Sequence, residues 1–123
     1  GLTDRILHSI MGIHTEIDEF NLAVSKKDRV NMLEELGDML WYLAILKDEI
    51  EFNTSIHDKK IKFDTDGLDL CKKTMFYGKE MDIKKIKYIS SSLYNSVLAN
   101  INKLDGNACN VMDVIINKLK ARY

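Results

Sequence analysis

The sequence predicts an all-α protein, a helical bundle of two helix hairpins followed by a C-terminal helix. Proline is absent from the 123 residues, and no stretch alternates apolar and polar residues as a half-buried strand does. Apolar residues instead recur every three or four positions, which is the spacing of one helix face. A chain of this length suits one domain, predicted to cover residues 1–123.

The first two predicted helices cover residues 3–25 and 29–51, with Thr3 as the N-cap of the first. The side chains predicted to face inward from the first helix are Ile6, Ile10, Ile13, Ile17, Phe20 and Val24. The second helix is apolar almost all round, which is typical of a helix in the middle of a bundle. We expect residues 1–51 to form the first hairpin.

Residues 52–67 are polar and predict a connection. A third helix is predicted over residues 68–77, a fourth over 82–103, and a closing helix after the DGN sequence at 105–107. The inward residues predicted for the fourth helix are Ile86, Ile89, Leu93, Val97 and Ile101, and those for the closing helix are Val111, Val114, Ile115 and Leu119. Residues 68–123 are therefore expected to be a scaffold hairpin with its closing helix.

The two hairpins match each other when the sequence is shifted by 53 positions. The packing residues Leu33, Leu36, Leu40 and Trp41 fall on Ile86, Ile89, Leu93 and Tyr94. One explanation is a degenerate internal duplication, and the other is the similarity that any two amphipathic helices share. Under the first explanation the second copy has lost its acids, because Glu35 falls on Tyr88 and Asp38 on Ser91.

Composition excludes several classes of partner. A net charge of −1 gives no basic excess for binding nucleic acid, and no apolar run approaches the roughly 18 residues of a membrane span. Cys71 and Cys109 lack the spacing of a metal or CxxC site. Free thiols in a reducing compartment, and hence a cytoplasmic location, are predicted.

Two pairs of acids lie at helical spacing on the first two predicted helices. Glu16 and Glu19 are three residues apart, as are Glu35 and Asp38, so each pair shares one helix face. Across an antiparallel hairpin the pairs can meet, and their repulsion would be relieved by a divalent cation. Carboxylate ligands suit Mg²⁺ or Mn²⁺. The alternative is that these acids face solvent and pair with lysines.

These segments resemble a known family. "HSIMGIHTEIDEF" and "NMLEELGDMLWYLAIL" are similar to the paired E-x-x-E and E-x-x-D helices of the MazG-like all-α nucleoside triphosphate pyrophosphohydrolases, a superfamily with dimeric dUTPases and phosphoribosyl-ATP pyrophosphohydrolase. "FYGKEMD" and "VIINKLKARY" resemble its inter-helix loop and closing helix. Two features depart from the family: Thr15 stands where a further glutamate is common, and "FYGKEMD" leads into a helix without acids.

The resemblance implies Mg²⁺-dependent hydrolysis of a nucleoside triphosphate to the monophosphate and pyrophosphate, with residues 1–51 as the catalytic hairpin. The implied metal ligands are Glu16, Glu19, Glu35 and Asp38, with Glu35 or Glu19 taking a proton from water. Tyr42 matches a substrate-pocket position. Trp41 is a candidate for contact with the base, with core packing as its alternative. The candidate phosphate-binding residues include Lys26, Lys27 and Lys79, although an ordinary surface charge is the favoured interpretation of each.

A two-helix hairpin cannot cover its own apolar face, although the second hairpin of this chain could do so internally. A homodimer is expected because the second helix is apolar almost all round. Two other functions stay open. The chain could be a non-catalytic nucleotide-binding module of the same fold, which the loss of acids from the second hairpin favours. It could also be a narrower enzyme that resembles a dUTPase or dCTPase.

Overall fold

The computed structural model describes residues 2–54, 62–63 and 65–104, together with Asn117 and Lys120. Over these residues the chain forms four α-helices and no strand, which confirms the all-α prediction. The helices are α1 (Leu2–Ser25), α2 (Arg29–Glu49), α3 (Asp66–Tyr77) and α4 (Ile83–Leu104). The predicted closing helix, with Val111, Val114, Ile115 and Leu119, and the thiol of Cys109 lie outside the described residues.

The helices pack in the cyclic order α1, α2, α4, α3, each in contact with the next and the last with the first. Arg5 near the start of α1 is ion-paired with Glu49 at the end of α2 at 2.6 Å, so these helices form an antiparallel hairpin. Arg29 at the start of α2 donates to the carbonyl of Leu104 at the end of α4 at 2.7 Å. The second helix therefore packs between α1 and α4, although Val30 and Trp41 on it are exposed.

Specific residues set the ends of the helices. Leu2 is already helical, so the prediction of Thr3 as an N-cap is wrong. Before α2, the Asp28 carboxylate accepts a hydrogen bond from the backbone N–H of Asn31, an interaction that typically stabilises a helix by about 1 kcal/mol. The helix ends at Glu49, two residues earlier than predicted, because the backbone of Ile50 is extended. Gly78 ends α3 with φ +62°, a conformation that glycine adopts without strain.

The core is built from the helix faces that periodicity predicted, with one exception. The buried residues of α4 are Ile86, Ile89, Leu93, Val97 and Ile101, and those of α1 include Ile6, Ile10, Ile13, Ile17 and Phe20. Val24 is 46% exposed, so its predicted place in the core is wrong. It lines a cavity of about 500 Å³ beside Phe63 and Leu104 that is open to solvent.

Two observations bear on the expected compartment. No helix in the described part of the chain is long and apolar enough to cross a membrane. Cys71 is a free, buried cysteine, and burial raises the pKa of its thiol to about 11. A cytoplasmic location stays a prediction.

Candidate metal centre

The acids lie in a groove between the first two helices. This α1–α2 groove is lined by His8, Gly12, Glu16 and Glu19 of α1 and by Glu35, Asp38 and Tyr42 of α2. The spacing of three or four residues on each helix places each set on one face. His14, about 200° around α1 from Glu16, packs instead against Gly67 of α3. The groove therefore opens on the side of α1 opposite to α3.

Three carboxylates meet in the middle of the groove. Glu16, Glu35 and Asp38 each present an oxygen, and the three oxygens lie within 4.8 Å of one another. All three side chains are half-buried. The Oε2 atoms of Glu16 and Glu35 are buried without a hydrogen-bond partner among the described residues. Since a buried polar atom without a partner costs free energy, these two oxygens favour a proton or a cation beside them.

The crowding changes the protonation of the two glutamates. Burial raises the pKa of Glu35 to about 9, helped by hydrogen bonding to Glu16 and Glu19 and by their negative charge. Burial also raises the pKa of Glu16, while its hydrogen bond with Glu35 acts in the opposite direction. Without a cation, this crowding favours the protonated form of Glu35, which can donate a hydrogen bond to Glu16.

The residues present fit a divalent cation. Three carboxylates offer only oxygen ligands, which suits Mg²⁺ or Mn²⁺. No histidine or cysteine joins the three acids in the cluster formed by the described residues. A cation would balance the charge of the cluster and give the two buried Oε2 atoms a partner.

The fourth predicted ligand, Glu19, occupies a different position. Its side chain is exposed, and it does not belong to the compact set of three oxygens. Its carboxylate nevertheless interacts with both Glu16 and Glu35. The structure therefore brings the four predicted acids into one groove, three in its middle and Glu19 at its rim.

The predicted substrate residues are distributed along and around this groove. Tyr42 lies in it, one turn beyond Asp38, whereas Trp41 is 41% exposed and is not packed in the core. Lys26 and Lys27 are exposed in the turn that joins α1 to α2. Lys79 is exposed beyond the end of α3, which packs on the other side of α1. The structure thus gives no support to a role for Lys79 at the acids.

Two residues of the groove, Gly12 and His8, are not among the site residues predicted from the sequence. Gly12 contacts the ring of Tyr42, and His8 packs its ring against the same tyrosine. Their position could have been found from spacing alone, because Gly12 and His8 lie four and eight residues before Glu16. Thr15, at the family glutamate position, is exposed and donates its hydroxyl to the carbonyl of Met11 at 3.1 Å.

The structure is that of an all-α protein in which three carboxylates, able to hold a divalent cation, converge on a helical hairpin. The sequence profile of the MazG nucleotide pyrophosphohydrolase domain matches residues 7–73, more than half of the chain and the whole groove. The chain belongs to this family. The segments at 76–82 and 114–123, which also resemble the family, lie beyond the matched residues. No curated protein and no solved structure matches the chain.

Proposed function

We propose that the protein is a Mg²⁺- or Mn²⁺-dependent nucleoside triphosphate pyrophosphohydrolase. It would cleave the α–β anhydride, so that a nucleoside triphosphate and water give the monophosphate and pyrophosphate. Membership of the MazG family supports this class of reaction. The observation that carries the proposal is the pair of buried Oε2 atoms, on Glu16 and Glu35, that have no partner within the described chain.

Glu16, Glu35 and Asp38 would hold the cation, because their oxygens already converge. A bound divalent cation supplies positive charge to phosphate oxygens and lowers the pKa of a water that it binds. The acids cost stability when they are crowded without it. This cost indicates that packing alone does not explain their presence in the groove.

Glu19 is the better of the two candidates for the general base. Glu35 has a buried oxygen within the cluster, whereas Glu19 is exposed at the rim, where water reaches it. In the proposed reaction water adds to one phosphorus of the anhydride, the bridging P–O bond breaks, and the proton of the water passes to the Glu19 carboxylate. Lys26 and Lys27, at the loop end of the hairpin, are the nearer candidates for contact with the triphosphate.

The test is pyrophosphate release from a panel of ribo- and deoxyribonucleoside triphosphates, with Mg²⁺, with Mn²⁺ and with EDTA. We expect turnover that EDTA abolishes and that Glu35→Gln and Asp38→Asn each reduce by at least about 100-fold. Glu34→Gln is the matched control, because it removes a carboxylate from the same helix at the next position, outside the cluster. Full activity in both cluster variants would contradict the site assignment.

Two narrower alternatives are separated by the same panel. Turnover of only deoxyuridine triphosphate, or of only deoxycytidine triphosphate, would define a dUTPase- or dCTPase-like enzyme. Binding without turnover would define a non-catalytic nucleotide module. Thr15 favours this last alternative, because its hydroxyl bonds to the helix backbone where the family often has a further acid.

We also propose that the protein is a homodimer. Met11 and Leu22, on the outer face of α1, are 41% and 54% exposed, and Trp41 on α2 is 41% exposed. We infer that these side chains belong to an apolar surface that a second copy of the chain covers. Sedimentation equilibrium should give twice the chain mass, and Leu22→Glu should shift it to the monomer. A monomeric wild-type protein at high concentration would contradict the proposal.

A further inference from the structure

A cavity of about 500 Å³ lies outside the α1–α2 groove, at the end of the bundle where α1 and α4 finish. This α1–α4 cavity is open to solvent and shares none of the residues that line the groove. Its volume falls within the range of roughly 300–1,000 Å³ that is typical of small-molecule sites. The apolar part of its wall is formed by Ile17, Phe20, Val24, Met32, Phe63 and Leu104.

The apolar wall is built mainly by α1 and by the connection before α3. Ile17, Phe20 and Val24 follow one another at steps of three and four residues, so they share one face of α1. The ring of Phe20 meets the ring of Phe63 edge to face, with the centroids 5.7 Å apart and the planes at 85°, an arrangement that aromatic pairs prefer. Val24 is 46% exposed, so part of this wall is in contact with water. A ligand group that covered the wall would be favoured by the burial of apolar surface.

Two lysines line the same cavity, Lys62 from the connection and Lys103 from α4. Ser96, Asn100 and Lys103 follow one another at steps of four and three residues, so they share one face of α4. The Ser96 hydroxyl donates to the carbonyl of Lys62 at 3.2 Å. Asn100, which also lines the cavity, donates its amide to the carbonyl of Ser96 at 2.8 Å. These bonds hold the backbone of Lys62 against the face of α4 that carries Lys103.

The positive charge of this cavity is not balanced within the described part of the chain. No aspartate or glutamate is among the described residues that line it, and neither lysine forms an ion pair with another described residue. Both lysines are exposed, so a ligand can reach them. The ammonium group of lysine is a compact point charge that binds carboxylate and phosphate groups. The cavity therefore combines an apolar wall with two charges that attract an anion.

We propose that the α1–α4 cavity binds a small amphipathic anion, with the apolar part of the ligand inside the cavity and its carboxylate or phosphate at Lys62 and Lys103. Both features define this class of ligand. A neutral apolar molecule would make no use of the two ammonium groups, and a nucleoside triphosphate would place a polar base against apolar side chains. The site is separate from that of the proposed reaction and does not depend on the identity of its substrate.

The experiment is calorimetric titration of the full chain with ligands that share one alkyl chain: decanoate, decyl phosphate and decyltrimethylammonium, each below its micelle concentration. We expect decanoate or decyl phosphate to form a 1:1 complex, and the cation to bind at least about 10-fold more weakly because its charge is opposite. The anion that binds more tightly identifies the head group. Circular dichroism at saturation should match that of the ligand-free protein, and the melting temperature should rise.

Variants test the two parts of the site separately. Lys62→Ala and Lys103→Ala should each weaken anion binding by about 5–10-fold. Lys84→Ala is their matched control, because Lys84 is exposed near the start of α4 and does not line the cavity. Val24→Trp fills the cavity from an exposed position and should abolish binding while the circular dichroism spectrum is kept. Its control is Val30→Trp, the same change at a residue of α2 that is 73% exposed and outside the cavity.

Three results would overturn the proposal: no saturable binding of either anion, equal binding of the cationic analogue, or unchanged affinity either in Val24→Trp or in both lysine variants. Displacement of bound decanoate by a nucleoside triphosphate would also overturn it, because the cavity would then belong to the substrate site. Anion binding that the lysine and Val24 variants lose, in a protein without pyrophosphohydrolase activity, would support the cavity site and contradict only the proposed function.

Discussion

Glu35→Gln should change stability in opposite directions with and without a cation. Without a cation the variant should be the more stable protein, and with a cation the wild type should be. The cation-free folded protein holds a proton on Glu35 up to a pKa of about 9, whereas the usual value is 4.5. Between these values the folded state binds more protons than the unfolded state, so the free energy of unfolding falls as the pH rises. The favourable contribution of this proton is complete below pH 4.5 and lost once the pH passes about 9.

The size of the effect has an upper limit. One proton corresponds to at most about 1.4 kcal/mol per pH unit. Since Glu35 is only half-buried, solvent screening keeps the slope below this limit. Glutamine is neutral at every pH and removes the contribution of this site. In EDTA, Glu35→Gln should therefore be more stable than the wild type at pH 8, and the difference should disappear near pH 5.

Addition of a cation should reverse the order of the two proteins. A ligand at 100 times its dissociation constant stabilises the folded state by about 2.7 kcal/mol, which for a domain of this size raises the melting temperature by about 10 °C. The wild type should show this rise with Mn²⁺, and the rise should increase from pH 6 to pH 8 because the cation displaces the proton on Glu35. Glu35→Gln lacks a ligand and should gain little.

The assay is thermal unfolding followed by circular dichroism from pH 5 to pH 9, in EDTA and with Mn²⁺. Glu34→Gln is the control and should behave as the wild type in both series. Two results would contradict a cation site that contains Glu35. One is an equal Mn²⁺-induced rise in Glu35→Gln and the wild type, and the other is a wild-type stability in EDTA that does not fall between pH 5 and pH 9.

Three further predictions concern the base, the thiol and the core. Glu19→Gln should lower kcat by about 100-fold while Mn²⁺ affinity changes little, as measured by pyrophosphate release and isothermal titration; loss of Mn²⁺ binding would instead make Glu19 a ligand. In a Cys109→Ser background, Cys71 should react with Ellman's reagent only after denaturation, because it is buried with a pKa of about 11, and rapid labelling of the native protein would disprove its burial. Leu93→Ala, at a side chain with 0% exposure, should lower the free energy of unfolding by about 2–5 kcal/mol in urea titrations, whereas the control Val30→Ala, at 73% exposure, should change it little.

Periodicity was sufficient to predict the four described helices and most of the core, because burial of an apolar stripe is a property of each helix by itself. The i,i+3 spacing of Glu35 and Asp38 predicts that they share one face of α2, and the predicted antiparallel hairpin allows that face to meet Glu16 of α1. The contact of Gly12 with Tyr42 could not be predicted, because it depends on the distance between two helices. The exposure of Val24 likewise depends on a cavity next to α4, which the pattern within α1 does not contain.

The comparison of α2 with α4 shows why packing does not account for the acids. At the shift of 53 positions, the packing residues of both helices are mostly buried: Leu36 and Leu40 in α2, Ile89 and Leu93 in α4. The positions that correspond to the acids differ in kind. Tyr88, which aligns with Glu35 at this shift, is 72% exposed. Ser91, which aligns with Asp38, donates its hydroxyl to the carbonyl of Asn53.

The first helices of the two hairpins differ in the same way. Asp69, which aligns with Glu16 at this shift, forms an exposed ion pair with Lys73 at 3.1 Å. A helix in this bundle therefore packs with an exposed tyrosine, a serine or a surface ion pair at these positions. Replacing the acids of the α1–α2 groove by such residues would remove the buried charges and the two unpartnered oxygens, and would stabilise the cation-free fold. The fold does not need acids at these positions, and their presence supports the proposed cation site. The same holds whether the two hairpins arose by duplication or are similar by chance.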